Sequence, residues 1–399
     1  MKRLSALAAA VAALSLGCTE EVTNPRPARL SADAVTFREA GATIRWNEIE
    51  RNLLIKHQPS QNAALRQFAY LSVAQYNAVI AAENGKDQST HPRGLAAVAG
   101  ASAAVLTYFY PDEQATLDAQ VNAHEADPRR QGERHTDFAS GEAVGRAVGA
   151  EVIASARTDR FDAVWTGTIP VCPGCWHSNS PTLPPLLPLM GQMRPFFMTT
   201  GNQFRPAPPP AFGSPAFLAA LAEIRHFSDT RTHEQDSIAK YWAFGTGTSL
   251  VAGFWNGFAS DLIVQFHQNE RKAAHTLALM NMAALDALIA SHDAKYAYWL
   301  IRPTQADPLI ALSIGLPNHP SYPSNHAAVS TTNALILGRI FPSESAQLAA
   351  MADQAGESRL YGGIHYRFDK TAGEGIAEQV ARLALQLDVN GRAPFALKP

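Results

Sequence analysis

The chain has 399 residues, of which 46% are hydrophobic and 17% are charged, so it can bury a large core. Its formal net charge is −2, and lysine and arginine form no run along it. This balance excludes the basic surface on which nucleic-acid binding depends, and we expect no nucleic-acid partner.

The N-terminal residues have the order of an export signal. Lys2 and Arg3 precede an apolar, alanine-rich stretch at 4–16 that is too short to span a bilayer. We therefore predict a signal peptide at 1–17. The small residues before Cys18 resemble a bacterial lipoprotein cleavage site and predict lipidation of Cys18, with plain secretion as the alternative. Both interpretations predict an exported protein, either secreted or held in the periplasm or at the outer membrane by a lipid anchor alone.

Residues 18–40 are polar and contain prolines, which predicts a flexible tether. Residues 41–245 are rich in helix formers and are predicted to form an N-terminal helical region. Its first helices are predicted at 62–83, 94–110, 112–126 and 136–158, with a break at Pro111.

The segment 166–215 interrupts the helical pattern with many prolines, and it predicts a long ordered excursion that acts as a lid, as a wall or as a surface wrap. It contains Cys172 and Cys175. In an exported protein such a close pair favours a local disulfide. A redox or metal role and free thiols remain alternatives, although Trp176 stands where a c-type haem site would need a histidine.

The remaining chain, 246–399, is predicted to form a C-terminal helical region that carries an oxyanion site. Helices are predicted at 259–298, 325–341, 343–357 and 371–387 in this region, and at 215–227 and 233–244 in the part of the N-terminal region that follows the excursion. No βαβ alternation and no internal repeat is apparent. The fold class we predict is an all-α helical bundle.

Lys295 and Arg302 lie seven residues apart, which is two helical turns. If the helix reaches Leu300, both side chains project from nearly one face, and Pro303 then ends the helix. Two cations on one face repel unless water or an anion separates them, and an oxyanion satisfies both. A solvated surface pair is the alternative interpretation.

The run PSNH at 323–326 follows a proline-rich turn and precedes an apolar periodic stretch. Ser324 is therefore predicted to cap a helix whose free backbone N–H groups can bind an anion. His326, two residues further on, is a candidate proton shuttle. Helix capping alone is the alternative for Ser324.

The run SRLYGGIHYRFD at 358–369 adds Arg359 and a histidine–carboxylate pair. His365 and Asp369 are four residues apart and share one face if this segment is helical. A carboxylate that accepts the Nδ1 proton leaves Nε2 free to attack phosphorus or to bind a metal. The glycine pair at 362–363 allows a sharp turn or a close approach to an anion.

These three clusters resemble the motifs of the superfamily that joins type 2 phosphatidic-acid phosphatases, bacterial acid phosphatases and vanadium-dependent haloperoxidases. The family motifs are Lys, six residues, Arg-Pro; then Pro-Ser-Gly-His; then Ser-Arg, five residues, His, three residues, Asp. The first and third are matched at the family spacing over about 293–373, and Asn325 replaces the glycine of the second. The surrounding residues resemble the exported haloperoxidase branch most.

The resemblance implies a role for each matched residue. It implies oxyanion binding by the side chains or backbone of Lys295, Arg302, Ser324, Asn325 and Arg359. It further implies general acid/base catalysis by His326, a nucleophile or vanadium ligand in His365, and an orienting carboxylate in Asp369.

The function implied is oxidation of halide by hydrogen peroxide at a vanadate cofactor. The alternative is hydrolysis of phosphate esters through a phosphohistidine, with no cofactor and phosphate as the substrate group. A third alternative, an inactive oxyanion-binding lipoprotein, follows from Asn325. In each case the partner is a small molecule, and a homodimer remains open.

Overall fold

The computed structural model describes residues 41–84, 91–125 and 135–398. The predicted signal peptide, the tether and Cys18 lie outside these ranges. Every regular element within them is helical, and the single extended pairing they contain is an isolated antiparallel bridge between Cys175 and Leu300. The predicted all-α bundle is therefore confirmed.

The helices fall into a group before the proline-rich excursion and a group after it. The first group is α1 (Gly41–His57), α2 (Gln61–Glu83), α3 (His91–Phe109), α4 (Gln114–Glu125) and α5 (His135–Arg157). The second is α6 (Pro215–Thr230), α7 (His233–Tyr241), α8 (Leu250–Gln265), α9 (Glu270–Tyr298), α10 (Pro303–Ala306), α11 (Asn325–Ile340), α12 (Ser345–Tyr361) and α13 (Arg367–Gln386).

Helices α2 and α9 form the centre of the bundle and share one core with α3, α8 and α11. In length and composition α9 could cross a membrane, but 94% of its most apolar window is buried inside the protein. A helix that is apolar on all sides is expected at the centre of a large bundle. Small residues bring α3 and α5 together so closely that a Cβ on Gly145 would collide with the backbone of Ala97.

The single helix predicted at 259–298 is wrong, because α8 ends at Gln265 and α9 begins at Glu270. Between them, the side chain of Asn269 accepts a hydrogen bond from the backbone N–H of Lys272 at 3.0 Å. This N-cap starts a new helix within a stretch whose composition favours helix throughout.

The excursion is ordered and is fastened to α9. The buried carboxylate of Asp286 accepts the backbone N–H groups of Phe196, Phe197 and Met198 at 2.7, 2.8 and 2.9 Å. Further along, Arg205 forms a two-pronged ion pair with Asp293 at 2.6 and 2.9 Å. These bonds hold the excursion as a wall beside the C-terminal half of α9, which carries Lys295.

Candidate active site

The backbone turns between Lys295 and Arg302. Trp299 adopts the left-handed conformation, with φ 50°, and ends α9, and Arg302 then precedes the short helix α10. The helix does not reach Leu300, so the condition under which both cations would share one helix face is not met. They converge because the turn folds Arg302 back, so that both side chains bind the same loop at 319–323.

Lys295 is completely buried and its ammonium group contacts three backbone carbonyls. It donates to the carbonyl oxygens of Pro320 at 3.0 Å and Ser321 at 2.8 Å, and also to that of Pro323. Burial, and then the charge of Arg302, lower the pKa of Lys295 well below its usual value. Because its hydrogens are directed to the loop, Lys295 can act on an anion mainly through its charge.

The guanidinium of Arg302 fixes the tautomer of His365 and contacts a second buried histidine, His319. It donates through Nη1 to Nε2 of His365 at 3.1 Å, and its Nη2 lies 3.0 Å from Nδ1 of His319, which is also 3.0 Å from the carbonyl oxygen of Pro320. Arginine has no acceptor, so Nε2 of His365 must be unprotonated. His365 therefore carries its proton on Nδ1 and directs the lone pair of Nε2 towards the cations.

Asp369 holds the Nδ1 proton of His365. Its fully buried Oδ2 accepts from His365 at 2.7 Å, from the Ser321 hydroxyl at 2.5 Å and from the backbone N–H of Tyr366 at 3.1 Å. Burial raises the pKa of Asp369 to about 6, and the Ser321 hydrogen bond and the charge of Lys295 oppose that rise.

This pairing does not arise on a helix face, contrary to the condition set from the sequence. His365 precedes α13, which begins at Arg367, and Asp369 lies in the first turn of that helix. The chain reaches this position through a turn at Gly363, whose φ of 79° favours glycine.

The N-terminus of α11 brings the second motif beside the first and third. Ser324 is the N-cap, as predicted: its hydroxyl accepts from the backbone N–H of Ala327 at 3.4 Å, and its own N–H donates to the carbonyl of Asp369 at 2.9 Å. The amide of Asn325 turns towards α9, where it accepts from Ser291 at 2.7 Å and lies 3.2 Å from Nε2 of His292. The group it offers an anion is therefore its first-turn backbone N–H.

His326 and Arg359 form the other side of the site. Nε2 of His326 donates to the carbonyl of Trp242 at 2.9 Å, which leaves Nδ1 as its free nitrogen. Burial, followed by the charge of Arg359, lowers the pKa of His326 well below its usual value. Arg359 is 2% exposed, donates to Ser358 and Ala239 at 2.9 Å each, and has its pKa lowered to about 9 by burial.

The buried charges of this site do not balance. Lys295, Arg302 and Arg359 form no ion pair with a carboxylate within the described ranges, and Asp369 is the one carboxylate whose charge bears on Lys295 and Arg302. Buried charge is costly unless it is paired. A tetrahedral oxyanion supplies the missing charge and several acceptors, so vanadate and phosphate both fit these donors.

Sequence reasoning missed three polar side chains at this site. His319 and Ser321 lie in the proline-rich turn before the second motif, where neighbouring polar residues such as Asn318 leave no signal that distinguishes them. His292 lies one turn before Lys295 on α9, and its ring centroid is 5.7 Å from that of His319. Nothing in the local pattern of α9 distinguished it.

Comparisons of the sequence with known proteins find two related matches. Residues 342–390 match the family model of the VCPO second helical-bundle domain. A non-specific acid phosphatase from Providencia stuartii is 28% identical over 177 residues, which cover 43% of this chain and 68% of that protein.

The solved structures of two bacterial enzymes share the fold. The first bacterial vanadium-dependent iodoperoxidase aligns with a TM-score of 0.75 at 21% identity, over 88% of this chain and 97% of its own. The holo form of a bacterial vanadium-dependent chloroperoxidase aligns with a TM-score of 0.70 at 14% identity, over 83% of this chain and 92% of its own.

The fold, the three motifs and these matches support the superfamily of type 2 phosphatidic-acid phosphatases, bacterial acid phosphatases and vanadium-dependent haloperoxidases as the group that the chain resembles. Its relatives are enzymes. At these identities the solved structures establish the fold, and the reaction has to be argued from the site.

Proposed function

We propose that the protein is a vanadate-dependent haloperoxidase-like enzyme that oxidises halide with hydrogen peroxide. The observation that carries the proposal is the excess of buried positive charge around His365, whose Nε2 lone pair is directed into it. When bound there, vanadate supplies a Lewis acid that polarises peroxide without changing its own oxidation state.

Each residue of the chain has a distinct part in this proposal. His365 would hold vanadate through Nε2, and Asp369 keeps the proton on Nδ1. Arg302 and Arg359 would donate hydrogen bonds to the vanadate oxygens, and Lys295 would add charge. His326, with Nδ1 free beside Arg359, exchanges protons with the substrate.

The extent of the structural similarity favours the haloperoxidase over the phosphatase. The likeness to the iodoperoxidase covers 88% of this chain and therefore includes much of the N-terminal helical region and the excursion. The match to the acid phosphatase covers 43%. The presence of the excursion, which forms a wall beside the site, is consistent with a haloperoxidase-type site.

Phosphate-ester hydrolysis is the second candidate, and the acid phosphatase match favours it. Nε2 of His365 would attack phosphorus while the ester oxygen leaves with a proton, and water would then hydrolyse the phosphohistidine. Phosphate and vanadate have similar shape and charge, so the same cations would serve both reactions.

Halide oxidation by the purified protein tests the proposal. Iodide, bromide and chloride are each supplied with peroxide, with and without orthovanadate, and p-nitrophenyl phosphate hydrolysis is measured in parallel. We expect oxidation that depends on vanadate and is lost in His365→Ala but retained in the exposed control His233→Ala. Ester hydrolysis inhibited by vanadate, without halide oxidation, would favour the phosphatase. Anion binding without either activity would indicate the inactive lipoprotein.

We also propose that the protein is exported and that a lipid on Cys18 is its only membrane attachment. The basic start, the apolar stretch and Cys18 support this. Fatty-acid labelling of the wild type and of Cys18→Ala in a bacterial host tests it, and equal labelling of both would contradict it. A homodimer is a further proposal, which light scattering of the purified protein tests.

A further inference from the structure

The disulfide between Cys172 and Cys175 closes a turn in the excursion that leads directly to the first motif. Within this turn the N–H of Cys175 donates to the carbonyl of Cys172 at 3.1 Å, and Gly174 has a φ of 78°. A Cβ at Gly174 would collide with the side chain of Phe212, so the turn packs closely against Phe212 only because residue 174 is glycine.

The turn pairs with the backbone segment that connects α9 to Arg302. The N–H of Ile301 donates to the carbonyl of Gly174 at 2.9 Å, and the N–H of Trp176 donates to the carbonyl of Trp299 at 2.6 Å. Together they form the bridge between Cys175 and Leu300, the one extended pairing within the described ranges.

The far edge of the same segment binds the loop of the second motif. The carbonyl of Leu300 accepts the N–H of Ser321 at 2.9 Å, and Ser321 in turn binds Asp369 through its hydroxyl and Lys295 through its carbonyl. The segment 299–301 is therefore held between the disulfide turn on one side and the loop at 319–323 on the other. Arg302 is the next residue.

Packing and side-chain contacts strengthen this connection. Trp176 is completely buried, with its ring centroid 6.1 Å from that of Trp299. The side chain of Gln305, one turn beyond Arg302, donates to the carbonyl of His177 at 2.6 Å. The contacts from the turn therefore precede and follow Arg302 in the chain.

We propose that the Cys172–Cys175 disulfide is a positioning element of the oxyanion site, which holds Arg302 in place through the pairing of Gly174–Trp176 with Trp299–Ile301. This inference rests on the proposed oxyanion site. Its consequence is that reduction of the disulfide weakens anion binding. Cys172 is exposed, so a small dithiol reaches it without unfolding the protein.

Reduction with a dithiol tests the proposal on the folded full chain. Two electrons and two protons pass from the dithiol to the two cysteine sulfurs, the S–S bond breaks, and the dithiol becomes a disulfide. The new thiols are then capped with iodoacetamide and the reagents removed, so that none of them meets the anion. Inorganic phosphate is the probe, and its dissociation constant is measured by calorimetry.

We expect the reduced and capped protein to bind phosphate about tenfold more weakly than the oxidised protein, equivalent to about 1.4 kcal/mol. The double variant Cys172→Ser, Cys175→Ser should show the same weak binding and should not respond to the dithiol. It retains Cys18, so it also controls for modification there. If it loses its helical circular dichroism, the reduced wild type carries the test.

Arg205→Ala separates positioning from a general loosening of the excursion. Arg205 fastens the same excursion to the same helix through Asp293, at 2.6 and 2.9 Å. We expect it to lower the melting temperature and to leave the phosphate dissociation constant unchanged. Equal weakening by Arg205→Ala would overturn the specific role of the disulfide.

The result also distinguishes this inference from the proposed function. If the oxidised protein binds phosphate and reduction leaves the affinity unchanged, the positioning role fails and the oxyanion site stands. If the oxidised protein binds neither phosphate nor orthovanadate, both fail.

Discussion

The N-terminal helices and the candidate active site both bury charged side chains, but they compensate them differently. Arg66 on α2 is 5% exposed and donates to Asp159 at 2.7 Å. Burial disfavours its charge, yet the hydrogen bond and attraction to Asp159 raise its pKa. Glu50 on α1 is completely buried, and burial raises its pKa well above the usual value, which favours its neutral form beside Tyr110.

Arg302 and Arg359 are as deeply buried and have no such partner. Burial lowers the pKa of Arg302 to about 10 and that of Arg359 to about 9. The N-terminal helices thus complete their charge balance internally, whereas the candidate site leaves it open to a ligand. This contrast teaches that unpaired buried charge, more than burial itself, marks the functional region.

Removing one arginine from each region gives the largest expected difference. Arg359→Ala should weaken orthovanadate binding by about 2 to 5 kcal/mol, as for a desolvated charge pair that loses one partner. Arg66→Ala should lower the free energy of unfolding by about 3 to 5 kcal/mol, because it leaves Asp159 buried and unpaired. Calorimetry with orthovanadate and urea unfolding are measured on both variants.

The comparison fails if the two variants behave alike. Arg66→Ala should retain the wild-type affinity for orthovanadate in the fraction that folds. Arg359→Ala should unfold at no lower urea concentration than the wild type when no anion is present.

The buried histidines give the candidate site an acid sensitivity. Burial, followed by the charge of Lys295, lowers the pKa of His292 from 6.5 to about 3. A depressed pKa contributes stability that is complete above pH 6.5 and is lost as the pH falls towards about 3. His292→Gln should therefore reduce the slope of unfolding free energy between pH 6 and 4 by about 1.4 kcal/mol per pH unit.

Urea unfolding at several pH values measures this slope. The exposed His233→Gln should retain the wild-type slope and serves as the control. Parallel curves for wild type and His292→Gln would contradict the prediction.

Replacing Ser321 tests how the hydrogen bond from its hydroxyl affects Asp369, the carboxylate of the candidate site. Its hydroxyl donates to Asp369 at 2.5 Å and lowers a pKa that burial has raised to about 6. Ser321→Ala should raise that pKa further, so that the acid limb of the activity profile moves to higher pH. Loss of a hydrogen bond to a charged group should cost about 1.5 to 3 kcal/mol of stability at pH 8, where Asp369 is ionised.

The pH profile of turnover and the free energy of unfolding are measured together. Ser330→Ala is the matched control, because it also removes a buried hydroxyl, one that lies on α11 and contacts Trp255. It should leave the pH profile unchanged. A profile unchanged in Ser321→Ala would argue against its influence on Asp369.

Asn325→Gly has the smallest expected effect and restores the family residue. The side chain contacts Ser291 and His292, whereas the backbone N–H at the start of α11 survives the change. We expect a loss of about 1 kcal/mol of stability and less than about a threefold change in anion affinity. A much larger loss of affinity in calorimetry would show that the asparagine amide itself binds the anion.

Local signals in the sequence predicted much of the fold and the members of the site. The helix predicted at 62–83 is α2 (Gln61–Glu83), and the cap at Ser324 follows from a polar residue between a proline-rich turn and an apolar periodic stretch. The motif spacing predicted one site from residues that lie up to 74 positions apart in the sequence, and the structure brings these residues to one buried site.

Tertiary contacts account for what the sequence could not predict. Trp299 ends α9 in a left-handed conformation that tryptophan rarely adopts, and packing against Trp176 accompanies it. The pairing of Cys175 with Leu300 joins segments far apart in the chain. Neither contact has a local pattern, so the sequence suggests a shared helix face for Lys295 and Arg302, whereas the structure brings them together through a turn.

Titration of the wild-type protein with orthovanadate, monitored by calorimetry, tests the central claim most directly. The unbalanced charge of Lys295, Arg302 and Arg359 predicts one vanadate per chain, with binding abolished in His365→Ala and competed by phosphate. No binding heat and no rise in melting temperature with either anion would contradict the account.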